Sequence, residues 1–185
     1  MKRISEIIIT IIVLGVIVYA FQVKAERDRL ILTGKEILLE LAPVDPLSLL
    51  QGQYYIIDFK LEDAEIEVDE DEINSDRVYY GYRHLRIVLR YNESGVATFN
   101  RFEDDQTLNS DELLFKVRRA IRRNNNKYFY KIDVSQNSFL IEENTQEKYE
   151  EKAKYGVFKV GPDGDYVLVD LADKDLNKLT EIKAQ

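Results

Sequence analysis

The chain has 185 residues, 26 Lys or Arg against 34 Asp or Glu, a formal net charge of −8, no cysteine and one histidine, His84. Without cysteine there are no disulfides, thiolate nucleophiles, iron–sulfur clusters or Cys-based zinc sites, and one histidine excludes a two-histidine metal centre. A hydrophobic share of 45% is too high for a disordered chain, the length suits one domain, and the net acidity argues against nucleic acid as a partner.

Lys2 and Arg3 precede an apolar run from Ile7 to Phe21, broken only by Thr10 and Gly15 and free of charge through Val23. Residues 7–23 reach the short end of the ~17–25 that a spanning helix needs. They are expected to form a transmembrane anchor in contact with membrane lipid. Residues 1–6 would be a cytoplasmic N-terminus, and 24–34 a juxtamembrane helix that stops at Gly34. Val23 and Ala25 also fit a small-residue cleavage pattern, so a signal peptide cut after Ala25 stands as the alternative. The lack of a helix-breaking proline before that site favours a retained signal-anchor. Lys24, Arg27 and Arg29 balance Lys2 and Arg3, so flanking charge does not decide orientation. An extracytoplasmic body rests on the tendency of N-terminal hydrophobic segments to export the chain behind them.

Beyond the anchor, residues 35–41 read as a strand that Pro43 and Pro46 must break. Residues 53–61 alternate, placing Tyr55, Ile57, Phe59 and Leu61 on one face of a strand. Nine acids crowd the stretch from Glu62 to Asp76, whose first half extends the alternation and whose second half reads as a loop. Residues 77–91, a strand or a pair interrupted near Gly81, and a strand over 96–102 flank a turn at Asn92–Gly95. Strands Leu113–Ile121 and Lys127–Val134 flank Asn124–Asn126, and Phe139–Ile141 is a short strand. Asn144 and Glu147 resemble a capping box opening a helix, TQEKYEEKAKY, that ends at Gly156. A third hairpin turns at Gly161–Asp165, and the tail from Ala172 reads as frayed helix or coil. The pattern predicts a mainly β domain over 35–171, with a polar tail over 172–185. Its fold class is β-rich α+β: an antiparallel sandwich or partly open barrel with one short helix, after the N-terminal transmembrane helix.

One stretch is more specific than periodicity. Leu38 to Tyr54 holds Pro43-Val44-Asp45-Pro46, then Leu49-Leu50, then Gly52-Gln53-Tyr54, continuing as Tyr55-Ile56-Ile57-Asp58-Phe59. It resembles the signature of the bacterial GDYXXLXY proteins, with Gly52 and Tyr54 matching, Ile57 and Phe59 conservative, and Gln53 where the motif has Asp. The aromatic strand around Phe139, followed by Glu142 and a helix, and the hairpin at Pro162-Asp163-Gly164 are also similar to that family. The resemblance implies a membrane-anchored protein with an extracytoplasmic body, and it assigns no activity. Physically, Asp45 can accept backbone N–H groups in its turn, and Gly52 frees the backbone before the strand, so structural roles suffice for both.

Candidate chemistry is sparse. Ser48 follows a Pro-rich segment, as in signal peptidases, but no lysine stands in a recognisable partner motif. His84 lies among cations, which favour neutral imidazole, and is more simply an ordinary strand residue. Asp69–Glu72 and Asp173-x-Asp175-x-Asn177 carry calcium-type ligands without the required glycine. Seven cations from Lys116 to Lys131, and Arg77, Arg83, Arg86 and Arg90, form acid-free sets. These are expected to pair with the acidic 62–76 segment, the alternative being anionic headgroups. Tyr54, Tyr79, Tyr80, Tyr82, Tyr128 and Tyr130 would suit sugar or peptide stacking, or simply strand and core edges.

The expectation is a single-pass protein of the bacterial plasma membrane whose cell-envelope body is an accessory or binding domain. It would act beside an integral membrane protein, without enzyme activity, cofactor or metal. The alternatives are a Ser48-based hydrolase and a carbohydrate- or peptide-binding domain using the tyrosine face.

Overall fold

The computed structural model describes residues 2–43, 50–51, 54–63, 66–68, 83–124, 127–141 and 145–180. Asp45, Pro46, Ser48, Leu49, Gly52, most of the acidic stretch, Tyr79, Tyr80, Tyr82, Glu142 and Asn144 lie outside them.

Helix α1 runs unbroken over Lys2–Thr33. At ~1.5 Å per residue it is about 48 Å long, more than a bilayer's thickness. Its side chains from Ile7 to Phe21 include twelve large apolar ones that are 46–69% exposed, so it is not a core helix. The stretch Ile7–Thr33 is long and apolar enough to cross a membrane.

Among the described residues the body holds three antiparallel sheets. The first orders β1 (Lys35–Glu40), β10 (Tyr155–Val160) and β11 (Tyr166–Ala172) as β1-β10-β11. The second joins β2 (Leu50–Gln51), β3 (Tyr54–Ile56) and β9 (Ser138–Leu140) as β2-β3-β9. The largest orders β4 (Ile66–Val68), β8 (Lys127–Asp133), β7 (Glu112–Asn124), β5 (Arg83–Tyr91) and β6 (Ala97–Phe102) as β4-β8-β7-β5-β6. Helix α2 (Gln146–Lys152) precedes β10.

The largest sheet is rolled. Phe102 on β6 and Tyr130 on β8 lie 5.4 Å apart between ring centroids, although β5 and β7 separate their strands. In a flat sheet three strand spacings would hold them ~14 Å apart. Strand twist therefore curls this sheet into a half-barrel. The architecture is the expected one: β-rich and partly open, with, among the described residues, one short helix on the body and an apolar helix before it.

Alternation accounts for the inner face. Leu89, Ile87 and half-buried Leu85 from β5 sit opposite Leu113, Phe115 and Val117 of β7. Ile37 and Leu39 of β1, Ile132 of β8, Phe158 of β10 and Leu171 of β11 join the same core. Phe158 is the hub of its aromatic group. Its ring centroid is 5.4 Å from Phe59, 5.7 Å from Phe115 and 5.5 Å from Tyr166, and Phe115 stacks on Tyr166 at 4.2 Å. Gly156 leaves room for this group, since a Cβ there would stand 2.8 Å from Phe59 Cε1.

Three local expectations are corrected. The strand expected over 53–61 ends at Ile56, and Lys60–Asp63 forms a 3-10 turn; Ile57, Phe59 and Leu61 are nevertheless all buried. Helix α2 stops at Lys152 rather than Gly156, because Ala153 turns extended (φ −64°, ψ 124°) and is buried. The tail is built in as far as Thr180. Leu179 is fully buried, its N–H donates to Leu171 O at 2.8 Å, and buried Asp170 accepts the Thr180 hydroxyl.

Replacing Phe158 with Ala should destabilise the protein by about 3–5 kcal/mol, and Gly156→Ala by about 1–3 kcal/mol through overpacking against Phe59. Chemical denaturation of the detergent-solubilised chain measures both. Changes under ~0.5 kcal/mol, the range of an ordinary surface site, would refute the hub.

Candidate functional site

The signature segment is a splice between two sheets. Tyr54, Tyr55 and Ile56 pair with Leu140, Phe139 and Ser138, so the two motif regions singled out in the sequence are adjacent strands. Leu50 and Gln51 pair on the other side of β3. Past Ile56 the segment changes partners. The Ile57 N–H donates to Asn137 O, the Ala42 N–H donates to Asp58 O, each at 2.8 Å, and Phe59 bridges Leu41. Pro43, just beyond, is exposed. Ile57 and Phe59 are fully buried. Phe139 is half-buried against the ring of Tyr149, which α2 carries into the core (6.2 Å). Leu140, its neighbour, is 59% exposed.

Other candidates separate. Tyr130 is only 5% exposed and lies inside the curl, with the Arg119 guanidinium 4.2 Å over its ring. It therefore cannot belong to an open stacking face. Tyr54, Tyr128 and His84 lie in strands β3, β8 and β5, His84 opposite Arg118. Asp173 uses its carboxylate to accept the N–H groups of Asp175 and Asn177, both at 2.9 Å. The Asn177 amide, above all, holds that carboxyl below its usual range. Among the described residues no cluster of metal ligands occurs.

Among the described residues the basic strands pair internally; most of the acidic 62–76 segment expected to partner them lies outside those residues. Arg86 meets Glu103 at 2.7 Å, Arg118 meets Asp133, and Lys116 reaches Asp165 at 2.6 Å and Asp163 at 3.3 Å. Glu112, 7% exposed, collects Arg90 and Arg101 at 3.3 Å each, Asn100 at 2.7 Å and the Asn109 N–H at 3.0 Å. The Asn109 amide first, then Arg101, keeps the Glu112 carboxyl low. Sequence separation hides this network, because its members come from β5, β6, β7 and the loop between β6 and β7.

A cleft of about 1060 Å³ opens where α1 meets the body. One wall is the last turns of α1, including Val23, Arg27 and Arg29; the other includes Tyr91, Pro162 and Val167. The junction is close-packed. Leu30 Cδ1 would lie 3.1 Å from a Cβ at Gly34 and 3.3 Å from one at Gly161, and a Gly34 Cβ would stand 2.5 Å from Leu30 O. The Gly34 N–H donates to Leu30 O at 2.8 Å, closing the helix where the sequence placed its end.

A β body carried on a helix of membrane-spanning length, with a conspicuous motif spliced between its sheets, defines a tethered β domain. The GDYXXLXY protein family matches residues 14–171, and the chain belongs to it. No curated protein and no solved structure matches.

Glu62 escaped notice as one acid among many. It sits in the 3-10 turn after the motif, half-buried, and accepts the Val134 N–H at 2.9 Å. Burial first, then the nearby Asp133 and Asp58 carboxylates, push its carboxyl up to about 7, against the opposing Val134 N–H and Lys131. A folded-state pKa above the ordinary 4.5 means the native state holds this proton more tightly than the unfolded chain. Its contribution is therefore fully present below 4.5 and is lost as pH rises toward 7. Glu62→Gln should keep the Val134 hydrogen bond, remove that decline and stabilise the protein at about pH 8, above the folded-state pKa. Unfolding midpoints that fall equally in both proteins between about pH 4 and 8 would contradict this origin.

Proposed function

We propose that the protein is a cell-envelope accessory domain, held by residues 7–23 on the extracytoplasmic side of the plasma membrane and acting without catalysis beside an integral membrane protein. The observation that carries this reading is the small sheet β2-β3-β9. Among the described residues β9 pairs only with β3, leaving a strand edge beside exposed Leu140. An open edge next to an apolar side chain is the geometry by which sheets accept a strand from another chain. The motif segment fixes this edge to the body through its turn to Asn137 and β1.

The non-catalytic part is supported by how the buried acids are used. Glu112 satisfies Arg90, Arg101 and a loop amide, and Asp170 ties down Leu171 and Thr180. Each is engaged in holding a loop or turn. The extracytoplasmic part rests on the position of the apolar helix ahead of the whole body.

A photoreactive residue in place of Leu140 should crosslink in intact cells to an integral membrane protein, whereas one in place of exposed Lys174 should not. Recovery of the Leu140 variant as a free monomer alone would contradict the partner. A reporter fused after Gln185 should be active only outside the cytoplasm.

A further inference from the structure

Helix α1 has two unlike sides. Gly15, Tyr19, Gln22, Glu26, Leu30 and Thr33 are spaced three or four residues apart. At about 100° per residue they share one arc of about 80° and form a ridge. Tyr19 is 68% exposed and Gln22 is exposed. Among the described residues nothing stands within 4 Å of a Cβ placed at Gly15. The opposite side of the apolar run carries Ile9, Val13 and Ile17. Thr10 lies on that side too, and it already has an interaction within the chain. The two polar side chains left in 7–23, Tyr19 and Gln22, therefore fall together on the ridge.

The ridge runs from the middle of the apolar run into the cleft. Glu26, Leu30 and Thr33 line the cleft, and Leu30 packs toward Gly161 of the β10–β11 hairpin. The body therefore overhangs the side of α1 that carries Gly15, Tyr19 and Gln22. This placement selects the occupant. Two parallel copies paired along the ridge would drive both bodies into the space above their shared axis. An antiparallel pair would set the two bodies on opposite faces of the membrane. A helix from a different chain, ending near the membrane surface beneath the body, meets neither obstacle. Its exit loop would face a cleft with both signs of charge, Arg27 and Arg29 on α1 and Asp163 and Asp165 on the hairpin.

Chemistry favours a helix over lipid on this face. The charge-free stretch 7–23 spans about 25 Å, less than the ~30 Å hydrocarbon thickness, so Tyr19 and Gln22 lie inside the apolar layer. A glutamine amide has two donors and an acceptor oxygen that lipid tails cannot satisfy, and such groups bond across helix pairs. Glycine lets a second backbone approach closely, which is why small residues mark helix contacts in membranes. We propose that the ridge of Gly15, Tyr19 and Gln22 is the docking face for a transmembrane helix of an integral membrane partner. That helix would present a small residue to Gly15 and a polar group to Gln22. The proposal rests on the anchored accessory reading above, and it is independent of whether β9 takes a strand.

Site-specific photocrosslinking of the full chain in intact cells tests this. Photoreactive residues in place of Tyr19 and of Ile12, which shares the arc, should crosslink to the same integral membrane protein. Those in place of Val13 and Ile17, on the opposite side at similar depths, should not. Gly15→Ile and Gln22→Leu leave the anchor at least as apolar, so the chain should stay resistant to carbonate extraction. Each should lower the Ile12 crosslink about three- to thirtyfold, the range for one interhelical contact. Val13→Leu and Ile17→Leu should behave as the parent. Equal crosslinking from both sides, a product with the mass of two copies of this chain, or full yield in both Gly15→Ile and Gln22→Leu would overturn the docking face. Crosslinking from Leu140 with none from Ile12 or Tyr19 would overturn it and leave the strand-edge reading standing. Crosslinking from Ile12 and Tyr19 with none from Leu140 would uphold it and remove the strand edge as the contact. Carbonate release of the parent would overturn the anchor and this proposal with it.

Discussion

The contact of Phe158 with Phe59 and Phe115 is the constraint on which the body depends. Phe158 belongs to β10, Phe115 to β7 and Phe59 to the signature segment, so one buried group joins the first and largest sheets to the signature segment. Such a contact requires glycine at 156, because any side chain there would enter the space of the Phe59 ring. It also explains why the motif strand is short. Hydrogen bonds from Ile57 to Asn137 and from Ala42 to Asp58 turn the chain off the β3–β9 ladder, so that Phe59 enters the core beside Leu41. Ile57 and Phe59 of the signature are thus both buried in the core.

The apolar helix is coupled to the same architecture. Strand β1 follows α1 after Gly34 and pairs with β10 along its whole length, from Lys35 opposite Val160 to Glu40 opposite Tyr155. Leu30 lies against both Gly34 and Gly161, so the helix end is packed onto the β10–β11 hairpin instead of joining it through a loose linker. The hairpin is itself fixed to the half-barrel, since Lys116 gives its backbone N–H to Gly164 O at 2.9 Å and its ammonium to Asp165. A chain of short contacts therefore runs from α1 to the largest sheet, and the cleft lies beside it.

Much of this was legible in the sequence for local reasons. The apolar run, the stop at Gly34 and the turns at Asn92–Gly95 and Gly161–Asp165 depend on residues close together, and the structure has the corresponding elements. The strands flanking Asn125 and Asn126, which lie outside the described residues, pair as expected. Alternation correctly placed Ile57, Phe59 and Leu61 on the buried side even though the strand ends at Ile56, because a bend with a 3-10 turn kept them facing one core. What escaped was long-range. Tyr130 is hidden because the sheet curls until Phe102, three strands away, meets it. Arg90 and Arg101 chose Glu112, and Leu179 is buried because the chain returns to Leu171. Glu62 resembles its acidic neighbours until Val134 is placed beside it.

Hydrogen exchange of the full-length protein tests most directly whether the signature segment is the keystone. Amides deeper in a cooperative core open only with the global transition, whereas loops exchange through local opening. The amides of Ile57 and Ala42, together with those of Phe158 and Phe115, should fall in the slowest class and share one opening free energy. Rapid exchange at Ile57 and Ala42 while β5, β7 and β10 stay protected would show that the body stands without the splice, and would contradict its central place.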